Sequence, residues 1–337
     1  MNLLVTGGCG FIGSHFVRYW LSRYPAEPLV NLDALTYSGN LANLEDVAGR
    51  PNYRFVRGSI CDRALVERIC EESGVEAIVN FAAHTHVDRS ILDASPFVET
   101  NVGGTQVLLD VVRSRGISRF VQVSTDEVYG ALKPDDPPTD EQATLAPNSP
   151  YAASKAAADL LARAYHRTFG VSVIITRCTN NYGPYQFPEK LIPLMIINAL
   201  GDKPLPVYGD GRQVRDWIHV LDHCEAVDLV LRRGRAGEVY NISAANEHAN
   251  LEIVERILDY LGKPRSLIQH VKDRPAHDRR YALDSTKLRK ELGWLPRLDF
   301  ASGLAETIAW YVKNRSWWQA VMTGEYRDYY ETWYIKR

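Results

Sequence analysis

The sequence predicts an α/β protein in which a doubly wound parallel sheet is joined to a smaller α/β lobe. Through the first half of the chain, short apolar runs alternate with helical patterns, which is typical of a parallel sheet with helices on both faces. After about residue 177 the pattern changes, and prolines and aromatic residues cluster. The 337 residues, 45% of them apolar, are enough to bury large cores in two lobes.

The chain opens with a strand-like run, Asn2 to Val5, then a glycine-rich loop and a helical pattern from Phe16 to Ser22. Gly7, Gly10 and Gly13 follow the spacing Gly-x-x-Gly-x-x-Gly. Glycines at this spacing let the backbone turn sharply and approach a pyrophosphate, which then lies at the N-terminus of the helix. A glycine triplet alone is also compatible with a tight turn that binds no ligand, so the next strand matters.

Asp33 closes the next strand-like run, Leu29 to Leu32, about 20 residues after Gly13. An acid at this position accepts hydrogen bonds from a ribose 2′-hydroxyl and repels a 2′-phosphate. We therefore predict a Rossmann domain that binds NAD in preference to NADP.

Further strand-like runs and helical patterns continue the alternation. The runs are Tyr53 to Val56, Ala77 to Phe81, Phe120 to Val123 and Val171 to Thr176, and the helical patterns are Ala64 to Glu72, Val102 to Arg115 and Ala152 to Tyr165. We assign residues 1–176, with a returning segment at about 212–243, to the NAD-binding domain, and residues 177–211 and 244–337 to the second lobe. Ligands of such sheets bind beyond the carboxyl ends of the strands.

The stretch from residue 124 to residue 155 carries the strongest signal for catalysis. Thr125, Asp126 and Glu127 directly follow a strand-like run, and Tyr151 and Lys155 lie four residues apart, on one face of a helix. Adjacent side chains diverge, so the two acids would reach a substrate from different sides and suit two different proton transfers. Taken separately, the acids are also compatible with a solvated turn or a helix cap, and the Tyr–Lys pair with an exposed helix face.

Tyr151 is a candidate base although a free tyrosine has a pKa of about 10. The Lys155 ammonium one helical turn away favours the phenolate, and a positively charged ring nearby would add to this effect. We therefore expect the pKa of Tyr151 to be lowered.

Positive charge concentrates at Arg215 and between Asp273 and Tyr281 in a chain whose net charge is only −2. Arginine pairs with phosphate oxygens in a bidentate manner, so these groups predict a diphosphate site, although a solvated charged loop is the alternative. His84 and His86 lie two residues apart, which is weak evidence for a metal in a loop. We predict no metal and expect polar contacts to a cofactor or sugar there.

The composition and charge give no indication of several classes of partner. A pI near 6.5 gives no reason to expect nucleic acid or a membrane surface, and no apolar run reaches the 18 or more residues of a membrane span. The chain begins with a strand-like run in place of a signal peptide. Its five cysteines include no Cys-x-x-Cys and are odd in number, so we expect reduced thiols and a cytoplasmic protein.

Together these motifs resemble those of the extended short-chain dehydrogenases/reductases. The matching segments are the glycine loop with Asp33, Ser-Thr-Asp-Glu-Val-Tyr-Gly at 124–130, Ser-Pro-Tyr-x-x-x-Lys at 149–155, the run at 180–193 and Arg-Asp-Trp at 215–217. Within that family, the chain closely resembles the dTDP-glucose 4,6-dehydratases over nearly its whole length. The sharpest element is the Asp–Glu pair after Thr125, which related epimerases and decarboxylases lack although they share Tyr-x-x-x-Lys.

The resemblance implies conversion of dTDP-glucose to dTDP-4-keto-6-deoxyglucose. The steps are transient NAD-dependent oxidation at C4, elimination of water across C5–C6, and hydride return to C6. Tyr151 would take the proton of the 4-hydroxyl, and Thr125 would bond the 4-oxygen. Glu127 would remove the C5 proton as general base, and Asp126 would protonate the departing 6-hydroxyl as general acid. Asp126 must therefore hold a proton at the working pH, which burial favours.

The resemblance also implies two sets of binding residues. The predicted NAD contacts are Gly7, Gly10, Phe11, Ile12, Gly13, Asp33, Ala34, Leu35, Thr36, Ser59, Ile60, Phe81, Ala82, Ala83, Thr100, Tyr151, Lys155 and Asn181. The predicted nucleotide-sugar contacts are Thr85, Thr125, Asn180, Lys190, Leu191, Pro206, Val207, Tyr208, Arg215, Asn246, Asp273, Arg274 and His277.

Three residues depart from the family pattern. Ser59 stands beside the adenine site where an Asp is usual, and it can form a hydrogen bond but carries no charge. His84 stands near the nicotinamide end where a Glu is usual, which is expected to change affinity or pH response. Cys9 replaces a typical Ala in the glycine loop, which is a small change.

Three alternatives remain open from the sequence. They are a UDP-sugar 4,6-dehydratase, a nucleotide-sugar 4-epimerase and a catalytically silent NAD-binding regulatory protein. The resemblance further implies a homodimer built on helices 102–115 and 152–167. Apolar residues there could form an intersubunit four-helix bundle or could simply face their own sheet, and they are Val107, Leu108, Val111, Leu160, Leu161 and Ala164.

Overall fold

The computed structural model describes residues 1–322. The second lobe was predicted to run to residue 337, so its last part, 323–337, lies outside the described residues.

The described residues contain twelve strands and twelve α-helices. The strands are β1 (Leu3–Thr6), β2 (Leu29–Asp33), β3 (Tyr53–Arg57), β4 (Ala77–Asn80), β5 (Arg119–Thr125), β6 (Val173–Cys178), β7 (Asn180–Tyr182), β8 (Leu205–Tyr208), β9 (Val214–His219), β10 (Val239–Ile242), β11 (Glu247–Ala249) and β12 (Ile268–Val271). The helices are α1 (Phe11–Arg23), α2 (Arg63–Glu72), α3 (Val87–Leu92), α4 (Ser95–Phe97), α5 (Thr105–Arg115), α6 (Pro150–Phe169), α7 (Leu191–Leu200), α8 (Val220–Arg233), α9 (Asn250–Leu261), α10 (Thr286–Leu292), α11 (Phe300–Lys313) and α12 (Arg315–Val321).

Seven strands form one parallel sheet in the order β10-β6-β5-β4-β1-β2-β3. The chain moves outward from β1 in one direction through β2 and β3, and in the other through β4, β5 and β6. This reversal at β1 opens a crevice beyond the carboxyl ends of the strands. The predicted doubly wound parallel sheet is confirmed.

Helices cover both faces of this sheet because successive strand residues point to opposite sides. On one face, Leu3 and Val5 pack with Phe16 and Trp20 of α1 and with α8. On the other face, Leu4 packs with residues of α2, α5 and α6. Each central strand therefore has two buried faces, which explains why the strands appear in the sequence as continuous apolar runs.

The second lobe has a core of its own, in which α7 and α9 pack with α11 and with Trp217 of β9. Its strands form two small sheets, β11-β9-β7 and β12-β8. The chain returns to the large sheet through α8 and β10, which pairs with β6. Strand β9 falls within the returning segment predicted at about 212–243, but it pairs with β7 and β11 in the small sheet.

Two helix boundaries differ from the sequence prediction. Helix α1 begins at Phe11, not at Phe16, because the glycine-rich turn ends at Gly10, which is the extended residue before the helix. The predicted start of the next helix, Val102, lies inside a π-helical turn, Val98–Gly104, which runs into α5. Glycine at 103 and 104 concealed this turn in the sequence pattern.

The apolar residues predicted for a dimer interface divide into two groups. Leu108 and Val111 have no exposed surface and pack in their own core beneath the sheet, so for these two the intersubunit placement was wrong. Leu160 is 53% exposed, and it is accompanied on the surface by Leu92 and Val98, at 63% and 57%. Val107 and Leu161 are half-buried and Ala164 is exposed.

Among the described residues, no helix combines the length and the apolar character needed to cross a bilayer.

Candidate active site

A cleft runs along the carboxyl ends of the parallel strands, from the glycine-rich loop to the second lobe. Almost every residue predicted to bind the cofactor lines it: Gly7, Gly10, Phe11, Ile12, Gly13, Asp33, Ala34, Thr36, Ser59, Ile60, Phe81, Ala82, Ala83, Thr100, Tyr151, Lys155 and Asn181. Leu35 does not line the cleft, and its side chain packs against the core beneath α1 instead. Its backbone N–H donates to Asp33.

The glycine-rich loop has space for backbone only. Gly7 has a φ of +72°, and a Cβ there would lie 2.6 Å from the backbone nitrogen of Ala82. A Cβ on Gly13 would lie 2.2 Å from the carbonyl oxygen of Gly7. The loop therefore packs tightly between β1 and the end of β4, and the start of α1 faces the cleft without a side-chain cap. Uncapped amides at a helix N-terminus fit the pyrophosphate of a dinucleotide.

Asp33 braces this loop from the end of β2. Its carboxylate accepts hydrogen bonds from the backbone N–H of Cys9 and that of Leu35, both at 2.8 Å. Burial raises the pKa of Asp33 and these two hydrogen bonds oppose the rise. An acid held in this way at the cleft fits the hydroxyls of an adenosine ribose.

Thr125 and the two acids lie where β5 ends and a 3₁₀ turn, Asp126–Tyr129, begins. The Thr125 hydroxyl donates to Oδ1 of Asp126 at 3.1 Å and accepts from the backbone N–H of Glu127 at 3.3 Å. Oδ2 of Asp126 is buried and has no hydrogen-bond partner among the described residues. Burial and the nearby Glu127 carboxylate raise the pKa of Asp126 to about 8. Asp126 therefore holds a proton at neutral pH, as a general acid must.

Glu127 has a different electrostatic environment, although it follows Asp126 directly. Burial raises its pKa, but Arg274, Arg215 and Lys190 each act to lower it. The pKa of Glu127 remains above its usual value, but three positive groups oppose the rise, whereas at Asp126 the neighbouring Glu127 carboxylate adds to the effect of burial. The two acids therefore have different electrostatic surroundings, although burial acts in the same direction on both.

Tyr151 and Lys155 lie in the first turns of α6, which begins after Ser149, whose hydroxyl accepts from the N–H of Ala152. Burial, followed by the charge of Glu127, raises the pKa of Tyr151 well above its usual value. The expectation that Lys155 lowers the pKa of Tyr151 is therefore wrong for the protein chain by itself. Lys155 Nζ donates instead to the carbonyl of Val123 at 2.6 Å, and burial lowers its own pKa.

The predicted substrate residues fall into two groups. Thr85, Thr125, Asn180 and Lys190 line the cleft itself. The others belong to the second lobe: Leu191, Pro206, Val207, Tyr208, Arg215, Asn246, Asp273, Arg274 and His277. Val207 is 2% exposed and its side chain lies in the core of that lobe, so a ligand could meet only its backbone.

Arg215 and Arg274 bring positive charge to the lobe side of the cleft. Arg215 is buried over the Tyr281 ring at 4.5 Å, and it donates to the carbonyls of Val214 and Asp278. Both arginines lower the pKa of Glu127, which places their charges beside the two acids. The positively charged segment predicted between Asp273 and Tyr281 therefore supplies Arg274 to the site.

The two histidines of the sequence pattern have separate environments. His84 lines the cleft, its backbone N–H donates to Asn101, and its ring stacks on Tyr37 with centroids 6.0 Å apart. His86 is buried, and burial lowers its pKa to about 4. Within residues 1–322, no group of three or more His, Cys, Asp or Glu side chains is arranged to hold a metal ion.

Sequence reasoning missed several residues of the site. Those that line the cleft without having been predicted include Ser38, Gly39, Gly58, Ser124, Cys178, Thr179, Gln186, Phe187 and Glu189. Most lie within a few positions of a predicted residue, on one side or the other, so the ends of the strands were a usable signal. A second group lies in α3, where Arg89 and Ser90 bond to two residues that line the cleft, Glu189 and Tyr151, and Asp88 bonds to Arg274. The signal for that group was a run of polar residues directly after the loop that follows β4.

Known proteins resemble this chain over almost its full length. A family model described as GDP-mannose 4,6 dehydratase matches residues 4–307. The dTDP-glucose 4,6-dehydratase of Streptomyces niveus is 55% identical over 329 residues, which cover 96% of this chain and 97% of that protein. DesIV, a dTDP-glucose 4,6-dehydratase from Streptomyces venezuelae solved with NAD and dTDP bound, is also 55% identical and has a TM-score of 0.92, with 95% of this chain and 100% of that chain covered.

Epimerases are more distant. The UDP-glucose 4-epimerase of Thermotoga maritima, solved with UDP-glucose, has a TM-score of 0.87 but only 29% identity, over 94% of this chain and 100% of that chain. The family resemblance drawn from the motifs is confirmed by the higher identity to the dehydratases. The chain belongs to the dTDP-glucose 4,6-dehydratases, within the extended short-chain dehydrogenase/reductase family.

Proposed function

We propose that this protein is an NAD-dependent dTDP-glucose 4,6-dehydratase that forms dTDP-4-keto-6-deoxyglucose. One observation carries the proposal beyond family membership. Asp126 and Glu127 line the same cleft as the glycine-rich loop, and burial raises the pKa of both, but three positive groups oppose the rise at Glu127. Elimination of water needs one group that removes a proton and another that donates one, and this pair supplies both.

NAD fits the cofactor part of the cleft, where Gly7, Gly13 and the start of α1 would hold its pyrophosphate and Asp33 its adenosine ribose. When bound, it supplies a transient acceptor for the C4 hydride, which returns to C6 at the end of the turnover. Because the reaction has no net redox change, we expect the cofactor to remain bound between turnovers.

Tyr151 is the group that we assign to the proton of the 4-hydroxyl. In the chain alone its pKa is raised, so the phenol is protonated in the resting protein. A positively charged ring beside it acts in the opposite direction and favours the phenolate. Thr125 would hold the 4-oxygen as charge develops there, because its hydroxyl lies at the end of β5 beside both acids.

Glu127 and Asp126 then divide the elimination. A 4-keto group acidifies the proton on C5, and Glu127 removes that proton as the carboxylate favoured by Arg274, Arg215 and Lys190. Asp126, whose pKa of about 8 keeps it protonated at neutral pH, donates its proton to the departing 6-hydroxyl, which leaves as water. The pair can act on one sugar because neighbouring side chains at a strand end diverge.

The second lobe supplies the contacts for the nucleotide diphosphate. Lys190 lines the cleft, and Arg215, which is buried, and Arg274, which is partly buried, bring positive charge close to Glu127. A diphosphate brings compensating negative charge to these cations, and guanidinium groups form paired hydrogen bonds with phosphate oxygens. The protein is therefore expected to bind dTDP even without the sugar.

Turnover of dTDP-glucose beside UDP-glucose tests the proposal and separates the alternatives. A dTDP-glucose 4,6-dehydratase yields the 4-keto-6-deoxy product, whose ultraviolet absorption appears in alkali, and it prefers dTDP-glucose. A UDP-sugar dehydratase would prefer UDP-glucose, and an epimerase would yield the 4-epimer without loss of water. A regulatory protein that binds NAD would yield no product from either sugar nucleotide.

We further propose a homodimer and a cytoplasmic location. Leu92, Val98 and Leu160 are exposed apolar residues of α3, the π-helical turn and α6, which pack together, and a second copy of the chain would bury them. All five cysteines are free, which suits a reducing compartment. Light scattering tests the dimer, and fractionation of the source cells tests the location.

A further inference from the structure

Helix α3, Val87–Leu92, links the cofactor side of the cleft to the second lobe. It begins directly after the loop that carries His84 and Thr85. Its Asp88 is buried, with 2% of the side chain exposed. A carboxylate so deeply buried needs bonded partners, because an unpaired buried charge is costly.

Asp88 bonds to two residues of the second lobe. One carboxylate oxygen accepts from an Arg274 guanidinium nitrogen at 3.0 Å, and the other accepts from the Tyr208 hydroxyl at 3.1 Å. Arg274 and Tyr208 are 66 positions apart in the chain, and both belong to the group predicted to bind the nucleotide sugar. One acid on the cofactor side thus holds two candidate substrate residues of the lobe.

Arg274 retains donors for a further ligand. Its Nε is buried and has no hydrogen-bond partner among the described residues. The guanidinium is also the strongest of the positive influences on Glu127. Arg274 therefore lies where it reaches towards the reacting end of the cleft while one of its terminal nitrogens is fixed by Asp88.

The other charged groups nearby would displace Arg274 if Asp88 were neutral. Arg215 and Lys190 also carry positive charge at this end of the cleft, and each experiences repulsion from Arg274. Glu127 attracts all three cations, but Asp88 is the acid that forms a close ion pair with Arg274, at 3.0 Å. Loss of the Asp88 charge would leave Arg274 repelled by its neighbours and free to turn towards solvent.

We propose that Asp88 is a positioning residue for the substrate diphosphate, acting through Arg274 and Tyr208. This inference rests on the proposed function, because it takes the cleft to bind a nucleotide diphosphate. Asp88 holds the two side chains in place before the substrate binds. The remaining guanidinium donors can then bond to the phosphate oxygens with a smaller loss of side-chain entropy.

Helix α3 is suited to this task because its next two residues are fixed as well. Arg89 forms an ion pair with Glu189 of the lobe at 3.1 Å. The Ser90 hydroxyl accepts from the backbone N–H of Tyr151 at 3.2 Å, at the start of the catalytic helix. The position of Asp88 is therefore set from both sides of the cleft, and a change confined to its carboxylate should act locally.

Asp88→Asn tests the proposal, because it removes the charge with little change in shape. We expect the KM for dTDP-glucose and the Kd for dTDP, measured by calorimetry, to rise by roughly tenfold to a hundredfold. The kcat at saturating substrate should stay within about threefold of the wild type, since Asp88 does not touch the reacting atoms. The affinity for thymidine, which has no phosphate, should not change.

Two further variants make the test specific. Asp210→Asn removes the partner of Arg279, in an exposed ion pair of 2.8 Å near the same segment, and it should leave all four quantities unchanged. In an Arg274→Gln background, Asp88→Asn should have only a small residual effect on dTDP binding, because its main partner is already absent. If Asp88→Asn does not fold, Asp88→Glu keeps the charge but displaces it, and a selective loss of dTDP affinity over thymidine affinity is expected there too.

Three results would overturn the proposal. Tighter dTDP binding by Asp88→Asn would show that Asp88 competes with the diphosphate. Equal losses of dTDP, thymidine and NAD binding would show a purely structural role. An undiminished effect in the Arg274→Gln background would exclude action through Arg274. If the wild type binds dTDP but does not turn over dTDP-glucose, the proposed function fails while the binding test of Asp88 still stands.

Discussion

Replacement of Asp126 by asparagine is the perturbation that tests the assigned chemistry most directly. Asp126→Asn keeps the shape of a side chain that is 4% exposed, and it can still accept the hydrogen bond from Thr125. It cannot donate a proton to a departing hydroxyl. General acid catalysis contributes about 10² to 10⁴ in rate, so we expect kcat for dTDP-glucose to fall by a factor in that range.

The pH dependence follows from the pKa of about 8. At pH 7 about 90% of Asp126 carries its proton, and at pH 9 only about 10% does, so the wild-type rate should fall roughly tenfold per pH unit in alkali. Asp126→Asn should lose this alkaline limb. Its remaining activity above pH 8 should depend on other groups alone.

The raised pKa of Asp126 also makes the free energy of unfolding depend on pH. The pKa is raised in the folded chain, so the unfolded chain releases the proton at lower pH, and ionisation opposes folding as pH rises from about 4 to about 8. The cost grows by about 1.4 kcal/mol per pH unit and reaches roughly 4 kcal/mol at pH 7 as an upper bound. Asp126→Asn removes it and should therefore stabilise the fold at pH 8, but not at pH 4.

The assay pairs product formation with isotope exchange. Glu127 remains in the variant, so the C5 hydrogen should still exchange with solvent deuterium while loss of water is slow, and mass spectrometry distinguishes the two. Thermal unfolding is followed at pH 4, 5.5 and 8 in parallel, with Asp135→Asn, a change at an exposed aspartate, as the control. An unchanged alkaline limb in Asp126→Asn, or equal stabilisation at all three pH values, would refute the assignment of the general acid.

Three other changes probe separate parts of the molecule. Glu127→Gln should abolish C5 exchange and slow product formation by at least about a hundredfold. The NAD content, read from the absorbance of the released cofactor, should stay the same. Product formed at the full rate would contradict the role of Glu127 as base. Gly13→Ala places a Cβ 2.2 Å from the Gly7 carbonyl oxygen, so the NAD content should fall by about tenfold or more. The circular dichroism spectrum should be retained. An unchanged NAD content would argue against pyrophosphate binding at this loop. Leu160→Glu should halve the mass found by light scattering if the exposed apolar surface is the dimer interface, and a dimer of unchanged mass would place the interface elsewhere.

The fold could be predicted because its strands are buried on both faces. Runs such as Phe120 to Val123 are apolar without interruption, and this pattern is typical of parallel strands. The small strands of the second lobe could not be predicted in the same way. Asn180–Tyr182 and Glu247–Ala249 are three residues long and mostly polar. Each is a strand only because it pairs with β9, which lies between them.

The site was predictable where its residues are neighbours in the chain. Asp126 and Glu127 are adjacent and both line the cleft, and their assignment as general acid and general base stays a prediction because burial raises the pKa of each. In the chain without NAD the pKa of Tyr151 is raised and not lowered, because the sequence displays Lys155 one turn away but not the burial of the phenol. Asp88 was missed for a similar reason, since its partner Arg274 lies 186 positions further along the chain.

The route of the chain between the two lobes limits how the protein can be recombined. After β6 the chain enters the second lobe, returns through α8 and β10 to complete the large sheet, and leaves again for β11 and α9. No single cut therefore separates the two lobes into contiguous pieces. A chimaera that borrows the lobe of a relative needs several matched crossover points. A chain shortened before residue 239 would expose β6 as an unprotected sheet edge, so we expect such fragments to aggregate.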